Sequence, residues 1–189
     1  MIPQTNTRGF TLIELMVSVT LFIVVMLVAV GALMALVEAN RKARALESVI
    51  NNLNVTLDGM VRSIRMGSVY NCGDYDAPPE EVGADCATGG TIFSFAPYGS
   101  DVADNGDRWV YTFADGRIYR SREGGGNAVA ITAPEVAITD MQFYVVGTAA
   151  RDVVQPKIVM VVKGEAGATE STRTTFYIQA TAVQRALDL

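Results

Sequence analysis

The stretch RGFTLIELMVSVTLFIVVMLVAVGALMALV, residues 8–37, decides how the rest of the chain is read. From Leu15 to Val37 it holds neither a charged residue nor a proline, and roughly 20 apolar residues are enough for a helix to cross a bilayer. The apolar core of a secretory signal peptide is shorter and is followed by a small-x-small cleavage site, so this helix is expected to stay with the protein. Just ahead of it, Arg8-Gly9-Phe10-Thr11-Leu12-Ile13-Glu14-Leu15 sets a glycine before a phenylalanine and a lone carboxylate four residues beyond that phenylalanine. An ionised side chain at membrane depth is expensive, and such a residue calls for a function and a partner. The plainer alternative is that Glu14 lies near enough to the helix start to reach the interface and to favour the positive end of the helix dipole.

Composition narrows the function classes. A chain of 189 residues fits one globular head plus an added element, with little room for two full cores. A net charge of -5 argues against a grip on phosphate backbones, which rests on clustered Lys and Arg, so nucleic acid is not an expected partner. Histidine is absent, which removes the commonest general base and the commonest zinc ligand. Without it, and without a G-x-S-x-G or phosphate-loop pattern, no catalytic set can be assembled and no enzyme is expected.

The octapeptide Arg8–Leu15 resembles the prepilin N-terminal motif, the cleavage and methylation signature of type IV pilins and of the pseudopilins of type II secretion. By that resemblance residues 1–9 are a leader, Gly9 precedes the bond cut by a membrane-embedded prepilin peptidase, and Phe10 becomes the N-methylated first residue. A glycine there lets the peptidase approach the backbone closely. Glu14 would attract the new amino group of a neighbouring subunit, an ion pair worth most where lipid or packed helices lower the effective dielectric, and so help set axial register. The implied partners are the peptidase, other pilin or pseudopilin subunits, an inner-membrane assembly platform and membrane lipid. The implied location is a single pass of the cytoplasmic membrane with the head outside the cytoplasm, or an extracellular pilus. The leader carries only Arg8 while Arg41, Lys42 and Arg44 follow the apolar run; charge alone would put the far side in the cytoplasm, but long domains translocate largely regardless of it. Gly31 stands where many major pilins have a proline, and it weakens a helix less.

Past the apolar run, Leu46, Ile50, Leu53, Leu57, Val61 and Ile64 recur at three- and four-residue steps with polar residues opposite, the pattern of an amphipathic helix with a core-facing stripe. No turn cluster divides the two halves, and Gly67 follows Arg62 and Arg65 as a stop signal. The expectation is one helix of about 57 residues, on the order of 85 Å long, with residues 10–37 crossing the membrane and 38–67 amphipathic. The head, 68–189, reads as antiparallel β. Asp115-Gly116 between 109–113 and 117–122 signals a tight hairpin, and 92–95, 140–146, 157–162 and 174–183 are further strand candidates. The order of a long helix, an irregular loop and then strands predicts an α+β, pilin-like fold with one antiparallel sheet laid on the helix. The phrase Ile138-Thr139-Asp140-Met141-Gln142-Phe143 and the closing strands resemble the larger minor pilins and J-type pseudopilins.

Cys72 and Cys86 are the two cysteines. A head outside the cytoplasmic membrane puts them in an oxidising setting and a disulfide is expected, closing a short loop for about 3 kcal/mol; the alternative is two buried thiols. Many major pilins carry a disulfide near the C-terminus instead, which favours a minor component. No cofactor is expected. Asp74, Asp76, Glu80, Glu81 and Asp85, and again Asp101, Asp104, Asn105 and Asp107, offer oxygens of the kind calcium takes. Neither group matches an EF-hand loop, and oxygen-rich turns are ordinarily solvated turns. A two-residue hairpin turn would align Trp109, Tyr111, Phe113, Ile118, Arg120 and Arg122 on one face, able to stack bases or to form core. Two function classes follow: a prepilin-type structural subunit, a minor pilin or pseudopilin of a type IV pilus or a secretion or competence filament, or else a permanently membrane-anchored extracytoplasmic binding protein, which leaves Glu14 unexplained.

Overall fold

The computed structural model describes residues 9–73, 83–149, 154–167 and 173–185. Its residues fall into two compact units, Met1–Arg41 and Lys42–Leu189. Helix α1 spans Leu12–Arg65 and continues through Gly31 without a break. In the first unit every described residue, from Gly9 to Arg41, is exposed, and α1 there is long and apolar enough to cross a membrane.

In the second unit α1 turns amphipathic, and Val49, Leu53, Leu57, Met60 and Ile64 are buried. Their spacing of four, four, three and four residues follows one helical row. The stripe is rotated from the one the sequence suggests. Leu53 lies at its centre, Val49 and Met60 join it on one side, and Ile50 and Val61 are half-buried beyond its other margin. Periodicity alone leaves two adjacent rows nearly equivalent, and the surfaces packed on the helix choose between them.

Among the described residues nine antiparallel strands follow: β1 Ser68–Cys72, β2 Cys86–Gly90, β3 Ile92–Ala96, β4 Trp109–Ala114, β5 Arg117–Ser121, β6 Val129–Ala130, β7 Ala137–Val146, β8 Lys157–Ala166 and β9 Thr174–Val183. They form two sheets and not the expected one, a five-stranded sheet ordered β1-β3-β4-β5-β6 and a four-stranded sheet ordered β2-β7-β8-β9. Where an irregular loop is expected after the helix, the described residues include β1 and β2. Their Ser, Asn, Cys and Gly residues are poor strand formers, and they are extended because β3 and β7 pair with them. In the four-stranded sheet β7, β8 and β9 are ten residues each, with β8 and β9 in register from Lys157↔Val183 to Ala166↔Thr174. A register shift between Ile138 and Asp140 explains why Ile138, Met141, Phe143 and Val145 all point inward although the first two are three residues apart. At the β4–β5 hairpin Asp115 (φ 48°) and Gly116 (φ 71°) are both left-handed, the conformation an Asp-Gly turn supplies.

Both sheets share one hydrophobic cluster with the helix. Phe93, Phe95, Tyr111 and Ile118 come from the five-stranded sheet, and Met141, Phe143, Ile158, Met160, Val162 and Phe176 from the other. The C-terminal end of α1 is fastened to this core through its last carbonyls, which lack partners inside a helix. Tyr70 Oη donates to the Ile64 carbonyl at 2.6 Å, Gly67 N donates to the same oxygen at 2.9 Å and Arg185 N donates to the Arg65 carbonyl at 2.9 Å. Gly67 ends the helix as its position suggests, but the reason is space. A Cβ there would overlap the Phe95 ring and meet the Ala96 carbonyl.

Cys72 and Cys86 form a disulfide across a Cα–Cα distance of 5.5 Å. Cys72 ends β1 and Cys86 begins β2, and each of these is the edge strand of its sheet. The bond therefore ties the two sheets together at their edges. The Phe143 carbonyl oxygen lies 3.2 Å from Cys72 Sγ, a contact only, since an oxidised sulfur has no proton to donate.

Replacing both cysteines with serine is expected to remove about 3 kcal/mol, read as a lower Tm of the detergent-solubilised protein; an unchanged Tm would show that hydrophobic packing alone joins the sheets. Gly67→Ala is expected to cost about 1–3 kcal/mol by overpacking, measured in the same way, although alanine is the better helix former.

Candidate processing and assembly site

The residues singled out near the N-terminus lie within one short segment. Gly9, Phe10 and Thr11 precede the helix, and with Phe10 84% exposed the Gly9–Phe10 bond is uncovered among the described residues. The helix then starts on a cap that the sequence reading missed. Thr11 Oγ1 accepts a hydrogen bond from Glu14 N at 3.3 Å, and the Thr11 carbonyl accepts from Leu15 N at 3.2 Å. Thr-x-x-Glu is the sequence signature of a capping box, and it is legible in Thr11-Leu12-Ile13-Glu14. Thr11 thus fixes where the helix begins and holds Glu14 in its first turn.

Among the described residues the Glu14 carboxylate has no hydrogen-bond or salt-bridge partner. It stands at one end of an open groove along a single helix face, lined by Val17, Ser18, Leu21, Phe22 and Val25. The other polar groups of this segment are satisfied by the helix itself. Ser18 Oγ donates to the Glu14 carbonyl at 2.7 Å and Thr20 Oγ1 to the Met16 carbonyl at 2.9 Å, which lets hydroxyls sit in an apolar span at little cost. Glu14 is the exception, a charge at the rim of an apolar face.

Residues 4–36 match a family model described as the prokaryotic N-terminal methylation motif. The chain carries a prepilin-type N-terminus. The match covers a small part of the 189 residues and leaves the head outside it. Comparison with curated proteins and with solved structures gave no match. A prepilin-type motif followed by a long apolar helix is consistent with the type IV pilin superfamily and with a membrane-anchored protein. The motif implies processing by prepilin peptidase and assembly with other pilin subunits.

The remaining sequence-derived sites resolve differently. Asp74, Asp76, Glu80 and Glu81 lie outside the described residues. Asp85 Oδ1 accepts from Thr148 N at 2.9 Å and Thr148 Oγ1 at 2.8 Å. Burial works against its ionisation, but these bonds and one from the Gly147 amide prevail and hold the carboxyl below its ordinary value. Asp101 Oδ1 accepts from Ala103 N and Asp104 Oδ1 from Gly106 N, the local bonding of ordinary turns. Among the described residues no group of three or more acidic or cysteine side chains is placed to hold a metal ion. On the hairpin, Tyr111 and Ile118 are fully buried, Tyr111 Oη is 3.0 Å from Ser63 Oγ of α1, and Arg120 and Arg122 lie over the Trp109 ring at 5.6 and 4.8 Å. The centre of that face is core, and its aromatic rings are engaged within the head.

Thr11→Ala is expected to cost about 1 kcal/mol at the helix start, seen as faster amide exchange at Glu14 in detergent micelles, while Thr11→Ser restores protection. Equal exchange in all three proteins would mean the cap contributes nothing.

Proposed function

We propose that this chain is a prepilin-type structural subunit, a minor pilin or pseudopilin of a type IV pilus or of a type II secretion or competence filament. In this reading prepilin peptidase cuts after Gly9, Phe10 is N-methylated, and α1 stores the subunit in the cytoplasmic membrane with its head outside until an assembly platform draws it into the filament. The observation that carries the reading is the conjunction at the helix start: an exposed Phe10, a capped first turn, and beside an apolar groove a Glu14 carboxylate with no partner among the described residues, all within the methylation motif. Cleavage would create a positive amino group on Phe10, and the Glu14 carboxylate of a neighbouring subunit is the complementary charge. In lipid, leaving either unpaired is costly, so the pair favours one axial register. The disulfide supports a head in an oxidising compartment, and its early position supports a minor component.

Mass spectrometry of the protein from native membranes should find an N-methylated Phe10 as first residue. Gly9→Leu should leave residues 1–9 attached, and Glu14→Gln should be processed yet fail to enter filaments. Retention of 1–9 in wild-type protein, in cells with active prepilin peptidase, would return the chain to a permanently anchored binding protein.

A further inference from the structure

The head carries two charged surfaces of opposite sign beside the C-terminal end of α1. The first is an open cleft of about 370 Å³ lined by Asp58, Val61, Arg62, Arg65, Met66 and Arg185. Its three arginines are exposed, and among the described residues none of them is in an ion pair. The second is the turn between β3 and β4, where Asp101 to Asp107 are all exposed and include three aspartates and no basic residue. Arg108, which follows, is turned inward at 5% exposure.

The helix places these surfaces on opposite flanks. At about 3.6 residues per turn, Asn52, Thr56 and Ser63 lie to one side of the buried row and Val61 and Arg65 to the other. On the first side Asn52 Oδ1 accepts from Ala133 N at 3.2 Å, Thr56 Oγ1 donates to the Ile131 carbonyl at 3.2 Å and Ser63 meets Tyr111; this is the flank of the five-stranded sheet. On the second side the chain leaving β9 brings Arg185 to Arg65. The acidic turn begins just past Ala96, which pairs with Ser68 directly after the helix, so it lies at the same end of the head as the cleft.

A positive surface on one flank and a negative one on the other, at one end of the head, cannot neutralise each other within a subunit. They can between neighbours placed side by side. We infer that the Arg62/Arg65/Arg185 cleft receives the Asp101–Asp107 turn of a second copy of this chain. The contact is heterologous, because each copy presents a different surface to its neighbour, the kind that closes into a ring or continues along a helical filament. It deepens the proposed function and rests on it: the subunit would associate laterally with its own kind, through its head as well as through its apolar helix.

The test is photo-crosslinking of the full-length protein in native membranes, with Val102→p-benzoylphenylalanine placing the probe in the acidic turn, where Val102 is 39% exposed. A crosslinked dimer of this chain is expected. Arg62→Glu with Arg65→Glu in the partner copy should lower its yield roughly fivefold or more, the effect of losing two exposed charge pairs. Asp104→Lys with Asp107→Lys in the probe-bearing copy should restore yield to that partner, which also shows that both variants fold. A yield indifferent to the charge reversals, or a crosslink only to some other protein, would overturn the inference. The N-terminal mass is read in the same sample, so a retained leader with a charge-dependent dimer would sink the prepilin reading and leave the head contact standing.

Discussion

Both sheets of the head are covered by one row of side chains, Val49, Leu53, Leu57, Met60 and Ile64. Each sheet has an apolar face that must be removed from water, and a single helix lies against both. The row draws Phe93, Phe95 and Tyr111 from one side and Phe143, Met160 and Phe176 from the other into one cluster. Burial of one large apolar side chain contributes roughly 1.5–3 kcal/mol, so a change in this row is felt by both sheets at once. The polar groups at the helix end reinforce the arrangement by direction more than by strength. Tyr70 Oη and Gly67 N share the Ile64 carbonyl and Arg185 N takes up that of Arg65, two oxygens of the last turn that lack partners inside the helix.

The same helix serves two solvents. Its first part, Leu15 to Val37, has no charged residue, and its described residues are exposed, which suits lipid or the helices of other subunits. Its second part is apolar on one row only and is soluble elsewhere. Hydroxyls in the first part bond back to the helix, so Ser18 and Thr20 make no demand on their surroundings. Glu14 does make one, because a carboxylate at the edge of an apolar face requires an outside partner.

The two sheets are joined by a covalent bond where hydrogen bonding stops. β1 and β2 are short, poor in strand-forming residues and placed at sheet edges, and unpaired edges are where sheets fray or add foreign strands. Cys72–Cys86 converts these two weak edges into one seam. An oxidising compartment is therefore a condition of the head's full stability, in keeping with a head outside the cytoplasm.

The sequence by itself determined the features that depend on near neighbours. The membrane-length apolar run, the processing motif, the helix spanning both halves, the Asp115-Gly116 hairpin and most strands were legible because spacing and turn chemistry act over a few residues. The Thr11 cap was legible too, in Thr-x-x-Glu, and was passed over in favour of Glu14. The tertiary structure decided what depends on partners distant in the chain. Two sheets form in place of one because β2 pairs with β7 some fifty residues on, and nothing within Cys86–Gly90 announces that choice. Val49 and Met60, in place of Ile50 and Val61, join the buried row because sheets on both flanks set the rotation of the helix. Gly67 is required by the Phe95 ring that passes over it. Local preferences are encoded in adjacent residues, but the choice among equally apolar rows and edges is made only when the surfaces meet.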